Sequence, residues 1–195
     1  MAGITVIMPR LIALCGPQGA GKSQAALSLV RNHGYTCISF ADPLYRMLAA
    51  LLSVSVEELR GMDKNRPMIE LEGNSIRHAL QTLGTEWGRS YIGGEIWVRT
   101  ALREIQRRRS QGKLVVIDDL RFRNEYTHLR RVGCCMIKID RPSAPDQVNP
   151  NHGSEVDWPS FVADSIVCNP GDGLGSWLSS AGSVILSAVG AVTEV

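Results

Sequence analysis

Eight consecutive residues, Gly16-Pro17-Gln18-Gly19-Ala20-Gly21-Lys22-Ser23, constrain this chain more than any other feature. They fit G-x-x-x-x-G-K-[ST] and stand between an apolar run and an amphipathic one. LIALC at 11–15 reads as a buried strand, and KSQAALSLVRNH at 22–33 reads as a helix ending at Gly34. Strand, glycine-rich turn and helix in that order make a phosphate loop. The glycines let backbone N–H groups turn inward around an anion, and the helix N-terminus adds its partial positive charge. Lys22 is placed to reach the β- and γ-phosphates of ATP, and Ser23 to offer its hydroxyl to Mg²⁺. The expected ATP contacts are Gly16, Gly19, Ala20, Gly21, Lys22, Ser23 and Gln24.

The rest of the chain alternates short β-branched runs with helical stretches. Strands are expected at 36–40, 114–117, 134–139 and 166–168, and helices at 42–52, 75–89, 95–110 and 122–132, with Asp42 as N-cap and Pro43 at the first helical position of the first of these. This alternation predicts an α/β, three-layer P-loop NTPase fold, with a central parallel sheet of about five strands and helices on both faces. Residues 53–74 and 141–156 are polar and irregular, and read as insertions in one domain spanning 1–195. The Gly/Ser-spaced apolar segment 173–192 is either a terminal helix packed on the sheet or a dimer surface.

With 195 residues, 44% apolar and 21% charged, the chain can bury a core without disulfides or a structural metal. Five cysteines, an odd number with no C-x-x-C spacing, suit a reduced intracellular protein. Arg10 interrupts the apolar amino terminus, no small-residue cleavage site follows, and 173–195 is too rich in Gly and Ser for a membrane span. A cytoplasmic protein without membrane contact is therefore expected.

All 17 arginines and 4 lysines lie at or before Arg141, so residues 1–141 carry a net +8 and residues 142–195 a net −6. The excess of arginine suits bidentate recognition of phosphate or carboxylate, although genomic base composition produces the same bias. VVID118-D119 puts two carboxylates at the end of a buried strand. One is expected to hold Mg²⁺ or face a second substrate, and the other to cap a helix; spacing alone does not say which. Transfer between two anions needs cations between donor and acceptor, and Arg77, Arg89, Arg121 and Arg141 are the candidates. The block REIQRRRS at 103–110 offers another reading, an ATPase that binds nucleic acid through the basic helix 99–109; a cation-rich helix C-terminus is also simply favoured by the helix dipole.

FADPLYRML (40–48), SIRHALQTLGTEWGR (75–89), EIWV (95–98), VVIDDLRFRNE (115–125), IDRP (139–142) and HGSE (152–155), in this order after GPQGAGKS, resemble the phage deoxynucleoside monophosphate kinases. The resemblance implies transfer of the ATP γ-phosphoryl group to a deoxynucleoside 5′-monophosphate, with Mg²⁺, in nucleotide supply for DNA synthesis. It implies an acceptor-binding insertion at about 53–100 and a lid loop at about 141–156. By motif position, Lys22, Arg77 and Arg121 carry the transfer, and Arg77 and Arg121 hold the acceptor phosphate. Trp97 stacks on the base, and Asp119 and Glu155 contact the nucleoside. The same motifs bring Asp42, Gln81, Thr85 and Arg89 to the acceptor, and Ser23 with Asp118 or Asp119 to the metal. Glu95 stands where the family often has Asp, and no arginine follows Arg141, which leaves that residue as the candidate lid arginine.

Overall fold

The first apolar run becomes the centre of the sheet. The computed structural model describes residues 5–6, 8–142, 157–171, 173–190 and 192–193. In chain order the elements begin with β1 (Thr5–Val6), β2 (Leu11–Cys15), α1 (Lys22–His33), β3 (Tyr35–Ile38), α2 (Asp42–Leu52) and α3 (Val56–Gly61). Then come α4 (Ile76–Thr82), α5 (Ile96–Ser110), β4 (Leu114–Ile117), α6 (Arg123–Arg131) and β5 (Cys135–Asp140). The last are β6 (Ser165–Cys168), α7 (Leu174–Ala188) and β7 (Val192–Thr193). Five strands form a parallel sheet in the order β3-β4-β2-β5-β6, and β1 pairs with β7 in a separate antiparallel ribbon.

The chain divides into two compact units, Met1–Ser39 with Leu102–Val195, and Phe40–Ala101. The first contains the sheet. All five residues of β2 are buried, as an apolar strand between two parallel neighbours must be. The crossover from β2 through α1 to β3 passes over β4, and the crossover from β4 through α6 to β5 passes over β2 in the opposite direction. Parallel crossovers are right-handed, so α1 and α6 lie on opposite faces of the sheet. The segment expected as a terminal helix or a dimer surface is α7. It packs on α1, and its Trp177, Ala181, Ile185 and Leu186 belong to the same core as Ile12, Leu29 and Ile137.

The second unit has its own small core of Tyr45, Leu48, Ala49, Leu59 and Ile76. The stretch 53–74 expected to be irregular contains α3, started by a capping box: Ser55 Oγ accepts from Glu58 N–H at 3.1 Å and Glu58 Oε2 accepts from Ser55 N–H at 2.8 Å. Asp42 is the first residue of α2 rather than its N-cap, which is Ala41, and its carboxylate pairs with Arg60 at 2.6 Å. The helix expected over 75–89 starts at its Ser75 cap but is α-helical only to Thr82. From Leu83 to Ile92 it continues with π-helical turns.

Two residues show how the sheet unit is tied together. Gly16 leaves β2 at φ +139°, and a Cβ there would collide with the Ile139 carbonyl oxygen of β5. Asp164, just before β6, binds Arg130 of α6 at 2.7 and 2.8 Å and accepts the Met136 N–H of β5 at 2.7 Å. Burial alone would raise its pKa. The hydrogen bonds from Arg130 and Met136, with the Arg130 charge, outweigh that and bring it below 3.8.

Gly16→Ala is expected to destabilise the protein by about 3 kcal/mol in urea unfolding, because strained φ and a backbone collision act together. Gly112→Ala, also at positive φ but with open space around it, should cost about 1 kcal/mol. Asp164→Asn is expected to cost about 1 kcal/mol at pH 7, discounted because the side chain is 41% exposed. A carboxylate with a lowered folded pKa stabilises above its ordinary value and loses that contribution as pH falls through the folded value. The difference between wild type and Asp164→Asn should therefore close below pH 3.8, as a pH series of urea titrations will read.

Candidate active site

Because α1 and α6 leave neighbouring strands for opposite faces, a crevice opens at the C-terminal ends of β2 and β4, the switch point where α/β sheets bind ligands. The loop 16–21 occupies the end of β2, and Asp118-Asp119 the end of β4. Gly19 and Gly21 adopt positive φ, 81° and 92°, and α1 starts at Lys22. Lys22 is 9% exposed, and its Nζ donates to the carbonyl oxygens of Gly16 and Pro17, both at 2.7 Å. The ammonium thus closes the loop from within while staying next to the ring of backbone amides.

The two adjacent carboxylates part company here. Ser23 Oγ donates to Asp118 Oδ2 at 2.9 Å, joining the first turn of α1 to the end of β4. Asp119 instead accepts from Ser39 Oγ beyond β3. The expectation that one of them caps a helix is not met. Phe122 is the N-cap of α6, and the amides entering that helix are served by other acids. Glu125 Oε2 accepts from Arg121 N–H and Phe122 N–H, each at 3.0 Å, and Asp157 Oδ2 accepts from Arg123 N–H at 2.9 Å.

Ser23 and Asp118 fit Mg²⁺. A hydroxyl and a carboxylate are hard oxygen donors, and Mg²⁺ with a nucleotide usually takes only one or two protein oxygens, the remainder coming from phosphate and water. No group of three or more His, Cys, Asp or Glu arranged for a metal occurs among the described residues.

Arg121 follows Asp119 by two residues, half-buried, with its backbone N–H held by the buried carboxylate of Glu125. Arg141, just after β5, donates from a terminal guanidinium nitrogen to the Gly19 carbonyl oxygen at 3.0 Å, which puts a second cation, with Lys22, beside the loop. Glu155 and nearly all of the expected lid, residues 143–156, lie outside the described residues.

The remaining predicted residues belong to the second unit. Arg77, Gln81, Thr85 and Arg89 recur at every fourth position through α4 and the π-helical run. At 3.6 residues per turn a spacing of four creeps ahead around the axis. In π-helical turns, whose bonds run i→i+5, it falls behind. The two drifts offset, so all four residues share one side. Arg77 Nε donates to Asn65 Oδ1 at 2.8 Å, and an Arg89 guanidinium nitrogen donates to Gly84 O at 3.3 Å. Gln81 and Thr85 are exposed.

Trp97 is placed otherwise than as an open platform. It is 3% exposed, its Nε1 donates to Gly84 O at 2.8 Å, and its ring fills the space that a side chain at Gly88 would need. As placed, the ring presents almost no surface to a ligand. Trp87, 39% exposed, lies against it with ring centroids 6.1 Å apart.

The basic helix end is largely spent on its own neighbours. Glu104 accepts from Arg107 and Arg108, each at 2.6 Å, and the Arg107 hydrogen bond is the largest cause holding its carboxyl down to about 2. Arg109 donates to Val132 O. Among the described residues, no helix is long and apolar enough to cross a membrane.

Residues missed in the sequence include Ser39, Glu125, Asn169 and Trp177. Glu125 had a readable signal, an acid three residues into a helix. The others are brought to the site by tertiary pairing, which no local spacing reports.

The family model for deoxynucleotide monophosphate kinase matches residues 49–174, a segment that starts after the phosphate loop. A protein of Acanthamoeba polyphaga mimivirus named "Putative deoxynucleotide monophosphate kinase" is 33% identical over 174 residues, covering 80% of this chain and 86% of that protein. Among solved structures, a sugar kinase from Janibacter sp. HTCC2649 aligns with a TM-score of 0.49 and 15% identity, over 95% of this chain and 99% of that one. The family match and the viral relative show that the chain belongs to the deoxynucleotide monophosphate kinase family, a family of phosphotransferases.

Proposed function

We propose that the protein transfers the γ-phosphoryl group of ATP to a deoxynucleoside 5′-monophosphate, giving ADP and the deoxynucleoside diphosphate. The observation that carries this reading is the Ser23–Asp118 hydrogen bond, which sets the loop hydroxyl and the strand-end carboxylate together at the switch point of the sheet. Family membership supplies the acceptor class.

In this reading the amides of the loop and the start of α1 cradle the donor phosphates. Lys22 neutralises charge on the transferring group. Ser23 and Asp118 would hold Mg²⁺, which would supply screening of the donor phosphate charge. Arg121 and Arg77 bind the acceptor phosphate by motif position. Asp119 and Glu155 contact the acceptor nucleoside, and Asp42, Gln81, Thr85, Arg89 and Trp97 contribute to its recognition. No general base is required, since the attacking phosphate oxygen is already ionised at neutral pH. That oxygen forms the new bond to the γ-phosphorus, and the β–γ bridging oxygen leaves with ADP. Arg121 is well suited to its role, because Glu125 fixes the backbone from which its guanidinium extends.

Arg121→Ala is expected to raise the KM for the monophosphate by about 10- to 100-fold, the value of a charge-assisted contact to phosphate, and to lower kcat. The KM for ATP should stay within about twofold of wild type. Steady-state kinetics with each substrate varied in turn checks this. An equally active Arg121→Ala enzyme would overturn the assignment.

A further inference from the structure

The phosphate loop is gripped from behind by two side chains that its sequence motif does not contain. Asn169 follows β6 directly and is 4% exposed; its Nδ2 donates to the Ala20 carbonyl oxygen at 2.9 Å. Trp177, in the first turn of α7 and also 4% exposed, donates from Nε1 to the Gly21 carbonyl oxygen at 3.0 Å. Both groups are themselves held. Asn169 donates its backbone N–H to Asp140 O at 2.7 Å and accepts the Gly171 N–H on Oδ1 at 3.0 Å, which leaves the amide nitrogen facing Ala20. The Trp177 ring sits in the core with Ala181 and Ile185.

In a trans peptide the carbonyl of one residue and the N–H of the next point in opposite directions. Asn169 holds the Ala20 carbonyl, and Trp177 adds a second donor to the Gly21 carbonyl, which also accepts the Ala25 N–H at 3.0 Å; with both carbonyls held, the N–H groups of Gly21 and Lys22 turn to the opposite side, where the phosphates go in the donor reading. If either peptide flipped, it would present a carbonyl oxygen to an anion. The same grip accounts for the glycine at 21. Its φ is +92°, and a Cβ would lie 2.6 Å from Asn169 Nδ2 and 2.7 Å from Trp177 Nε1.

We infer that Asn169 and Trp177 are positioning residues for donor phosphate binding, acting through the Ala20 and Gly21 peptides. The inference rests on the reading of the loop as the ATP site. It assigns to the β6–α7 segment a task separate from acceptor recognition.

Trp177→Phe removes the N–H and keeps the ring's packing, and Asn169→Ala removes the amide. Each variant is expected to weaken ATP binding by about tenfold in calorimetric titration with Mg²⁺ present, the value of one oriented hydrogen bond. The KM for ATP should rise in parallel, while the KM for the monophosphate stays within about twofold. Asn169→Asp keeps the side chain's size but turns an acceptor toward the Ala20 oxygen. It is expected to weaken ATP binding more than Asn169→Ala does, and it is the variant to read if Asn169→Ala does not fold. A merely structural role would lower the melting temperature and leave ATP affinity unchanged; that result in folded variants overturns the inference alone. Wild-type protein that binds no ATP would overturn the donor reading and this inference together.

Discussion

Two right-handed crossovers that start from neighbouring strands and run in opposite directions create the crevice on which the candidate site depends. α1 leaves β2 for one face and α6 leaves β4 for the other, which opens a crevice at the C-terminal ends of these two strands. The phosphate loop and the acidic pair fill that opening. Its geometry depends on how tightly the sheet closes around β2. Gly16 can leave the strand only because it has no side chain to meet Ile139, and the loop that follows is braced by Asn169 and Trp177 from the last strand and helix.

Charge is distributed to match. The chain's cations all precede residue 142, and three of them, Lys22, Arg121 and Arg141, gather around the loop or the end of β4. Lys22 donates to loop carbonyls, Arg141 donates to the Gly19 carbonyl, and buried Glu125 holds the backbone of Arg121. Arg107 and Arg108, in contrast, are paired with Glu104 at the end of α5, and that pairing reduces the charge that helix end can offer a polyanion.

Much of this was legible in the residues. LIALC, the phosphate loop and KSQAALSLVRNH are local patterns, and β2, α1, α2 and β4 fall on the spans their periodicity and glycines indicate. What escaped was set by contacts distant in sequence or by departures from ideal geometry. The short helix α3 carried a readable Ser55-x-x-Glu58 cap but too few residues to show a period. The π-helical run at 83–92 has no local signature beyond its glycines, of which Gly88 makes room for the Trp97 ring and Gly84 accepts its Nε1–H on the backbone carbonyl. Asp118 and Asp119 are adjacent, so spacing could not divide their roles. In the structure Asp118 accepts from Ser23 and Asp119 from Ser39. The β1–β7 ribbon joins the two ends of the chain, a pairing of four residues that sequence patterning does not register.

The most direct test of the account follows the phosphoryl group itself. The wild-type protein is incubated with Mg²⁺, ATP labelled at the γ-phosphate and each of the four deoxynucleoside monophosphates in turn, and the products are separated. The account predicts that label moves to a deoxynucleoside diphosphate with at least one of the four, with one ADP formed for each diphosphate. Label that appears only as inorganic phosphate, or stays on ATP with all four acceptors, would contradict it.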